Sequence, residues 1–424
     1  MTASPADLLQ SLIDATLKAG ADAADARLSE SASLSVEVRN GELESVEREE
    51  SRGLALRALV GRRQASVSGT DLSPAALKAL SERVVAMAKL APEDKYCGIA
   101  DASEIARDHP DLQLDSDDTP EAGELERRGR IMEDAAMAIP GVKQMSHAGA
   151  SWGTSSSWVA ASNGFAAHKT SGYSSMSAVA IAKRDGAMER DYESSSERLL
   201  AKHKSPEWIG AEAGRRAASR LGARKLDSQT APVIFDRRLS SRLLGAFIGA
   251  ISGPAIARGV SFLKDKMDKP VFAPGVNVID DPLRLGGFGS RGFDGEGRPV
   301  KRTALVRGGV LTQWLLNGPA ARQLGLTPNG FASMGFGDPP GVTTSNLEIE
   351  PGIRSPDELM KDAGKGLLVT DMFGPSLNPN TGDYSVGVSG FWFENGERAY
   401  PVSEVTVAGD LPSMLLRAIP GSPQ

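Results

Sequence analysis

The residues able to do chemistry in this chain are few and scattered. Its four histidines are His109, His147, His168 and His203, and its one cysteine is Cys97. A zinc site takes three or four imidazole, thiolate or carboxylate ligands. None of these histidines has another four or five residues on, and none adjoins the cysteine. His147 and His168 fall on predicted strands and could meet in space, but a hydrogen-bonded or surface imidazole is the simpler reading of each. Gly149-Ala150-Ser151-Trp152-Gly153 matches G-x-S-x-G, in which a nucleophilic serine sits on a sharp strand-to-helix turn. The residues that follow, TSSSWVAASNGF, read as strand running into a hairpin, so no such elbow is expected. Gly287-Phe288-Gly289-Ser290-Arg291-Gly292 matches G-x-G-x-x-G, which binds a dinucleotide only where a helix follows. Here FDGEGRP follows and cannot start a helix, so a glycine-rich turn is expected. Asp280/Asp281 and Asp294/Glu296 are carboxylate pairs of the kind glycoside hydrolases use. Asp-Asp-Pro and Asp-Gly-Glu-Gly are also ordinary turn sequences whose side chains accept from nearby N–H groups, and that reading is adopted. The residues alone therefore give no catalytic group and no metal ligand set.

The elements that would position these residues alternate helix with hairpin. Ser4-Pro5 caps a helix whose stripe is Leu8, Leu9, Leu12, Ile13 and Leu17. Strands Leu34–Arg39 and Glu42–Arg48 flank Asn40-Gly41, a strong hairpin signal. Gly53–Val60 and Gln64–Gly69 continue the meander, and Ser73-Pro74 opens a helix to Ala91. The polar stretch Pro92–Pro120 reads as loop. Glu121–Ala138 reads as helix, followed by a hairpin about Asn163-Gly164, alternating runs through Ser171–Arg190 and a helix over Pro206–Arg220. The order helix, then strands with an Asn-Gly turn, thus occurs twice. The charged run Glu44–Arg52 reads as a solvated strand face.

Leu221–Gln229 marks the expected boundary, with an N-terminal domain over residues 1–226 and a C-terminal domain over 227–424. Beyond it come a strand at Ala231–Phe235, a helix at Leu239–Ile251 and, after Val271, glycine- and proline-punctuated β structure. Thr303–Arg307 and Val310–Leu315 should pair about Gly308-Gly309, and Phe391–Glu394 and Glu397–Val402 about Asn395-Gly396. The fold class expected is α+β. The N-terminal domain is an antiparallel sheet with helices, and the C-terminal domain is mostly antiparallel β, curved or barrel-like, because so many glycines imply bulges and tight bends.

A length of 424 residues suits two domains, and 40% hydrophobic residues suffice to fill their cores. The net charge of −6 argues against binding driven by phosphate neutralisation, so no nucleic-acid partner is expected. A lone cysteine suits a reducing compartment. No run approaches the ~18 apolar residues of a membrane span, and the N-terminal stretch reads as a capped helix rather than a signal peptide. A cytoplasmic location without a membrane partner is expected.

Several segments together resemble the TldD/PmbA family, also called the modulator-of-DNA-gyrase family. They are Leu221–Asp236, Gly249–Met267, Asp280–Gly325, Asn378–Leu411 and the two Asn-Gly hairpins at 40–41 and 163–164. The resemblance spans essentially the whole chain and is most specific in its second half. It implies a protease of two related subunits, one carrying His-Glu-x-x-x-His on a helix just past the domain boundary. The two histidines and a later cysteine hold zinc, and the glutamate acts as general base.

This chain departs from that pattern. The matching helix window is about Leu244–Gly249, LGAFIG, without histidine or glutamate, and no histidine follows His203. The resemblance is therefore to the PmbA (TldE) branch, with no cofactor in this chain and zinc in a TldD-like catalytic partner. A stand-alone homodimer that binds peptide is the alternative. A subunit of this kind closes a chamber and holds extended peptide by edge pairing. Glycines that admit a close backbone approach suggest the lining residues: Gly287, Gly289, Ser290, Phe293 and Asp294 on one loop, and Gly382, Asp383, Ser385, Gly387 and Ser389 on another segment.

Overall fold

The computed structural model describes residues 4–116, 119–333, 335 and 338–422. Its first body runs α1 (Pro5–Lys18), β1 (Ala23–Arg39), β2 (Glu42–Val60), β3 (Arg63–Gly69), α2 (Pro74–Leu90), α3 (Ala122–Met137), β4 (Val142–Ala161), β5 (Ala166–Arg184), β6 (Ala187–Glu197) and α4 (Pro206–Ser219). The strands form one six-stranded sheet in the order β3-β2-β1-β4-β5-β6, antiparallel throughout. Helix, three-stranded meander and helix occur twice, and the two copies join where β1 pairs with β4.

Side-chain alternation decides which face is covered. On β1, Ala24, Ala26, Leu28, Leu34, Val36 and Val38 are buried, while Ser29, Ser33, Ser35 and Glu37 between them are half-exposed. Leu9, Leu12 and Ile13 of α1 and Leu80, Val84 and Val85 of α2 pack on the first half of the covered face. Leu125 and Met132 of α3 and Ile209 and Ala213 of α4 pack on the second. The opposite face is rich in serine and glycine; it is covered in part, where Asp25 and Arg57 are buried and where Lys169 meets Ser290, and is open elsewhere. The stretch Pro92–Pro120 contains neither helix nor strand among its described residues, as expected; Asp117 and Asp118 lie outside them.

The second body runs β7 (Val233–Phe235), α5 (Ser240–Ala250), α6 (Gly253–Ala257), β8 (Val278–Asp280), β9 (Thr303–Arg307), β10 (Val310–Leu311), α7 (Gly318–Leu324), β11 (Ala332–Ser333), β12 (Gly341–Val342), β13 (Leu347–Ile349), α8 (Pro356–Ala363), β14 (Gly366–Leu377), β15 (Asp383–Glu394), β16 (Glu397–Asp410) and α9 (Leu411–Leu415). Sheets β16-β15-β14-β7 and β10-β9-β8-β13 enclose the largest apolar core, centred on Phe247, Phe272, Leu305 and Val388. The fold class is α+β, and the named strands pair antiparallel except β14 with β7.

Three local expectations change. β1 starts at Ala23 rather than Leu34, because two neighbours, β2 and β4, pair with its Ala- and Ser-rich first half. The strand after Gly309 stops at Leu311, since Thr312 N turns back to Leu305 O and Leu315 N bonds to Ile251 O. The region after Val271 is not almost all β: it includes α7 and α8, and residues 281–302 form neither helix nor strand. α8 starts at a full capping box between Ser355 and Glu358, a signal present in the sequence.

Candidate functional site

The loop 281–302 is ordered by what it is bonded to. Gly287 and Gly289 face the chain at 345–346, where a Cβ on residue 289 would come 2.5 Å from the Ser345 carbonyl and one on residue 287 would come 2.6 Å from Asn346 Oδ1. Only glycine permits that approach. Ser290 is fully buried, donates its hydroxyl to Arg284 O and accepts from Asn346 Nδ2 at 2.7 Å. Phe293 stands edge-on to Phe165, with centroids 5.1 Å apart, and to His109 at 5.4 Å. Asp294, 2% exposed, accepts from the backbone N–H groups of Glu296, Arg298 and Ala332. Burial, reinforced by the charge of Glu296, pushes its carboxyl up to about 6. Asp280 is also buried and accepts from the Ser345 N–H and hydroxyl; burial raises its pKa. Both carboxylate pairs thus have members that serve as backbone acceptors, as turn sequences do.

Two cations of the first body clamp this loop to the open face of the six-stranded sheet. Arg198 donates to Gly286 O, Gly287 O, Leu114 O and Gly172 O at 2.6–3.0 Å. Lys169 donates to Ser290 O at 2.7 Å. Burial first, then the nearby Arg198, Arg291 and Arg27, pushes the Lys169 ammonium down to about 8. Nothing in the spacing of the sequence signals the partners within the loop, which lie 88 to 121 residues from these cations. The same pinned stretch carries exposed Leu283, Leu285 and Phe288, the last with its ring centroid 5.1 Å from the Arg198 guanidinium.

The second predicted segment lies on β15 and the turn before it. Gly382, at φ +88°, is buried against Pro412. Asp383 is exposed and accepts from Thr381 Oγ1 at 2.6 Å. Ser385 and Gly387 are half-exposed, and the half-exposed Phe373 ring takes the place of a side chain on Gly387. Ser389 is buried and accepts from Arg220, which also reaches Asp191 at 3.3 Å and Asp371 at 3.7 Å. The structure therefore puts Ser290, Asp294, Gly382 and Ser389 within the framework. It leaves Asp383, Ser385, Gly387, Gly287, Gly289 and Phe293 with exposed surface.

The window Leu244–Gly249 is helical, within α5. Leu244 and Phe247 point into the core, whereas Gly245 and Gly249 are exposed, one helical turn apart, with open space where side chains would stand. These residues do not fit a zinc ion, since none of their side chains offers a nitrogen, oxygen or sulfur donor. Among the described residues, no three His, Cys, Asp or Glu side chains converge as metal ligands. Gly149–Gly153 is interior strand of β4 with no elbow, and no helix follows Gly287–Gly292. No helix among the described residues is long and apolar enough to cross a membrane.

Residues 24–88, 113–221 and 228–422 match the family models for domain 1, the central domain and the C-terminal domain of the PmbA/TldA metallopeptidases. The chain is 35% identical over 401 residues to metalloprotease PmbA of Escherichia coli O157:H7, covering 93% of this chain and 86% of that one. It is 33% identical over 412 residues to the PmbA homolog of Haemophilus influenzae, covering 95% and 88%. Its fold matches a candidate modulator of DNA gyrase from Bacteroides thetaiotaomicron with a TM-score of 0.91 at 26% identity, covering 98% of this chain and 93% of that one. It also shares the fold of TldE from Thermococcus kodakarensis, with a TM-score of 0.86 at 18% identity over 98% and 94%.

Proposed function

The chain belongs to the PmbA/TldD metallopeptidase family, and from that premise we propose that it is the non-catalytic subunit of a two-subunit zinc peptidase. It closes a chamber around a metal held by a TldD-like partner and keeps extended peptide in place there. One observation carries this reading: a chain similar over nearly its full length to a metalloprotease has, on α5, two bare glycines and no side-chain donor in the window where the metal motif would fall.

The anchored loop gives the reading further support. Leu283, Leu285 and Phe288 expose apolar surface on a loop that Arg198 and Lys169 hold at Gly286, Gly287 and Ser290. Exposed apolar side chains on an ordered support are the usual form of a contact surface for peptide or protein. Asp383 and Ser385 supply a second exposed strip, next to the half-exposed Phe373 ring that lies over Gly387. Ser290, Asp294 and Ser389 then act as supports of that wall rather than as contacts.

Hydrogen exchange of the assembled complex, with and without a non-cleaved peptide, tests the chamber. Added protection is expected in 286–297 and 382–390. Unchanged protection in both segments would remove the wall from the account.

A further inference from the structure

Three side chains from neighbouring strands meet on the open face of the six-stranded sheet, near the end of β1. His147 Nε2 lies 2.7 Å from Ser177 Oγ, and His147 Nδ1 lies 3.2 Å from Glu37 Oε1. In the neutral tautomer with its proton on Nδ1, the ring donates to Glu37 and its Nε2 accepts from the Ser177 hydroxyl. The order of contacts is nucleophile, base, acid. Along the chain it runs Glu, His, Ser, one of the orders in which such triads occur.

The fold builds this arrangement through a glycine. In register, Glu37 stands opposite Gly149 and Gly149 opposite Ser177. A Cβ on residue 149 would come 2.8 Å from His147 Cε1 and 2.9 Å from Val36 O. The missing side chain leaves the slot in which the imidazole crosses β4 to bridge its two neighbours. A register shift between Met145 and His147 sits beside it. Ser177 is half-exposed, and the side chains of His147 and Glu37 are 29% and 43% exposed, so a small molecule can reach the hydroxyl.

We infer that Ser177, His147 and Glu37 form a nucleophilic serine unit that takes an acyl group from small activated carboxylic esters. Ser177 Oγ attacks the ester carbonyl and its proton passes to His147 Nε2. The new Oγ–acyl bond forms as the bond to the leaving oxygen breaks, and that oxygen takes the proton from His147. Water then attacks the acyl-serine by the reverse proton path, releasing the acid and restoring the hydroxyl. Glu37 acts as a positioning residue that holds the ring in the required tautomer. β4 and β5 are interior strands, so their N–H groups are engaged in the ladder. The neighbouring donors are hydroxyls, those of Ser175 and Ser194 on the same face. Without backbone N–H groups aimed at the oxyanion, the substrates are activated esters and not peptide bonds. This inference is independent of the chamber.

The test uses the purified full chain, p-nitrophenyl acetate and a fluorophosphonate probe, with peptide mapping of the adduct by mass. The adduct is expected on the peptide that contains Ser177, and Ser177→Ala should lose it. His147→Gln should slow acylation by more than about tenfold, since a positioned base contributes at least that much. Glu37→Gln should slow it less, with recovery in Glu37→Asp, while circular dichroism reports an intact fold for each variant. Absence of an adduct on that peptide in the unaltered chain overturns the inference, as does a His147→Gln rate within tenfold of the parent's.

Discussion

Arg198 gives up its solvent for four backbone carbonyls drawn from three separate segments. An alanine there removes four hydrogen bonds from a charged donor, worth about 1.5–3 kcal/mol each, although Leu114 O still accepts from Gly172 N and Gly287 O from Ser290 N. Arg198→Ala should therefore lower the unfolding free energy by about 3 kcal/mol or more in a denaturant titration. Lysine should restore little of it, because an ammonium cannot reproduce the planar fork. Asp294 carries a pH signature of the opposite kind from a paired carboxylate. Its pKa in the folded chain is raised to about 6 by burial and then by Glu296. The folded state thus favours the protonated form, and the group's contribution to stability is fully present below the unfolded value of 3.8 and is lost as pH rises through about 6. Compared with Asp294→Asn, the parent chain should lose of order 2 kcal/mol between pH 4 and 7. A relative gain over that window in paired thermal or denaturant unfolding would contradict the assignment. Neither residue was legible in this role from the sequence: Arg198 follows a serine-rich run without any motif, and Asp294 looks like a turn residue, which it is, without showing its burial.

At the scale of elements, α3 and α4 cross in close contact at Gly210. A Cβ there would come 2.0 Å from Met132 O, which is backbone and cannot move aside alone. Gly210→Ala should push the two helices apart and destabilise the first body by about 1–3 kcal/mol, read as a drop in the thermal midpoint. Helices of this body were legible because their starts are marked: Ser4, Ser73 and Ser205 each cap a helix with proline next in line. The turns at Asn40-Gly41 and Asn395-Gly396 were legible too, and both residues of each take positive φ. Asp185-Gly186 makes the same turn between β5 and β6, inside an alternating run that masks it. Strand length was the least legible quantity. Alanine and serine have weak strand preference by themselves, and pairing on both sides decides their conformation.

For the whole molecule, the α+β class could be read from the chain, and the contacts through which its two bodies pack could not. Arg198 to Gly286, Lys169 to Ser290, Arg298 to Glu104 at 2.9 Å and Phe293 to Phe165 all join residues far apart in sequence. Such contacts follow from tertiary docking, which no local periodicity encodes. Docking also sets which of the residues expected at the chamber keep surface, Asp383 and Gly387 among them, and which become framework, Ser290 among them. The same architecture leaves α5 without donors at the metal window, and this is the feature on which the functional account turns. The most direct measurement is peptide hydrolysis, with zinc analysis, for this chain alone, for a family member bearing His-Glu-x-x-x-His from the same cell alone, and for their equimolar mixture. The account predicts zinc in the partner, none in stoichiometric amount in this chain, and hydrolysis that appears on mixing. Stoichiometric zinc and peptide hydrolysis in this chain by itself would contradict it.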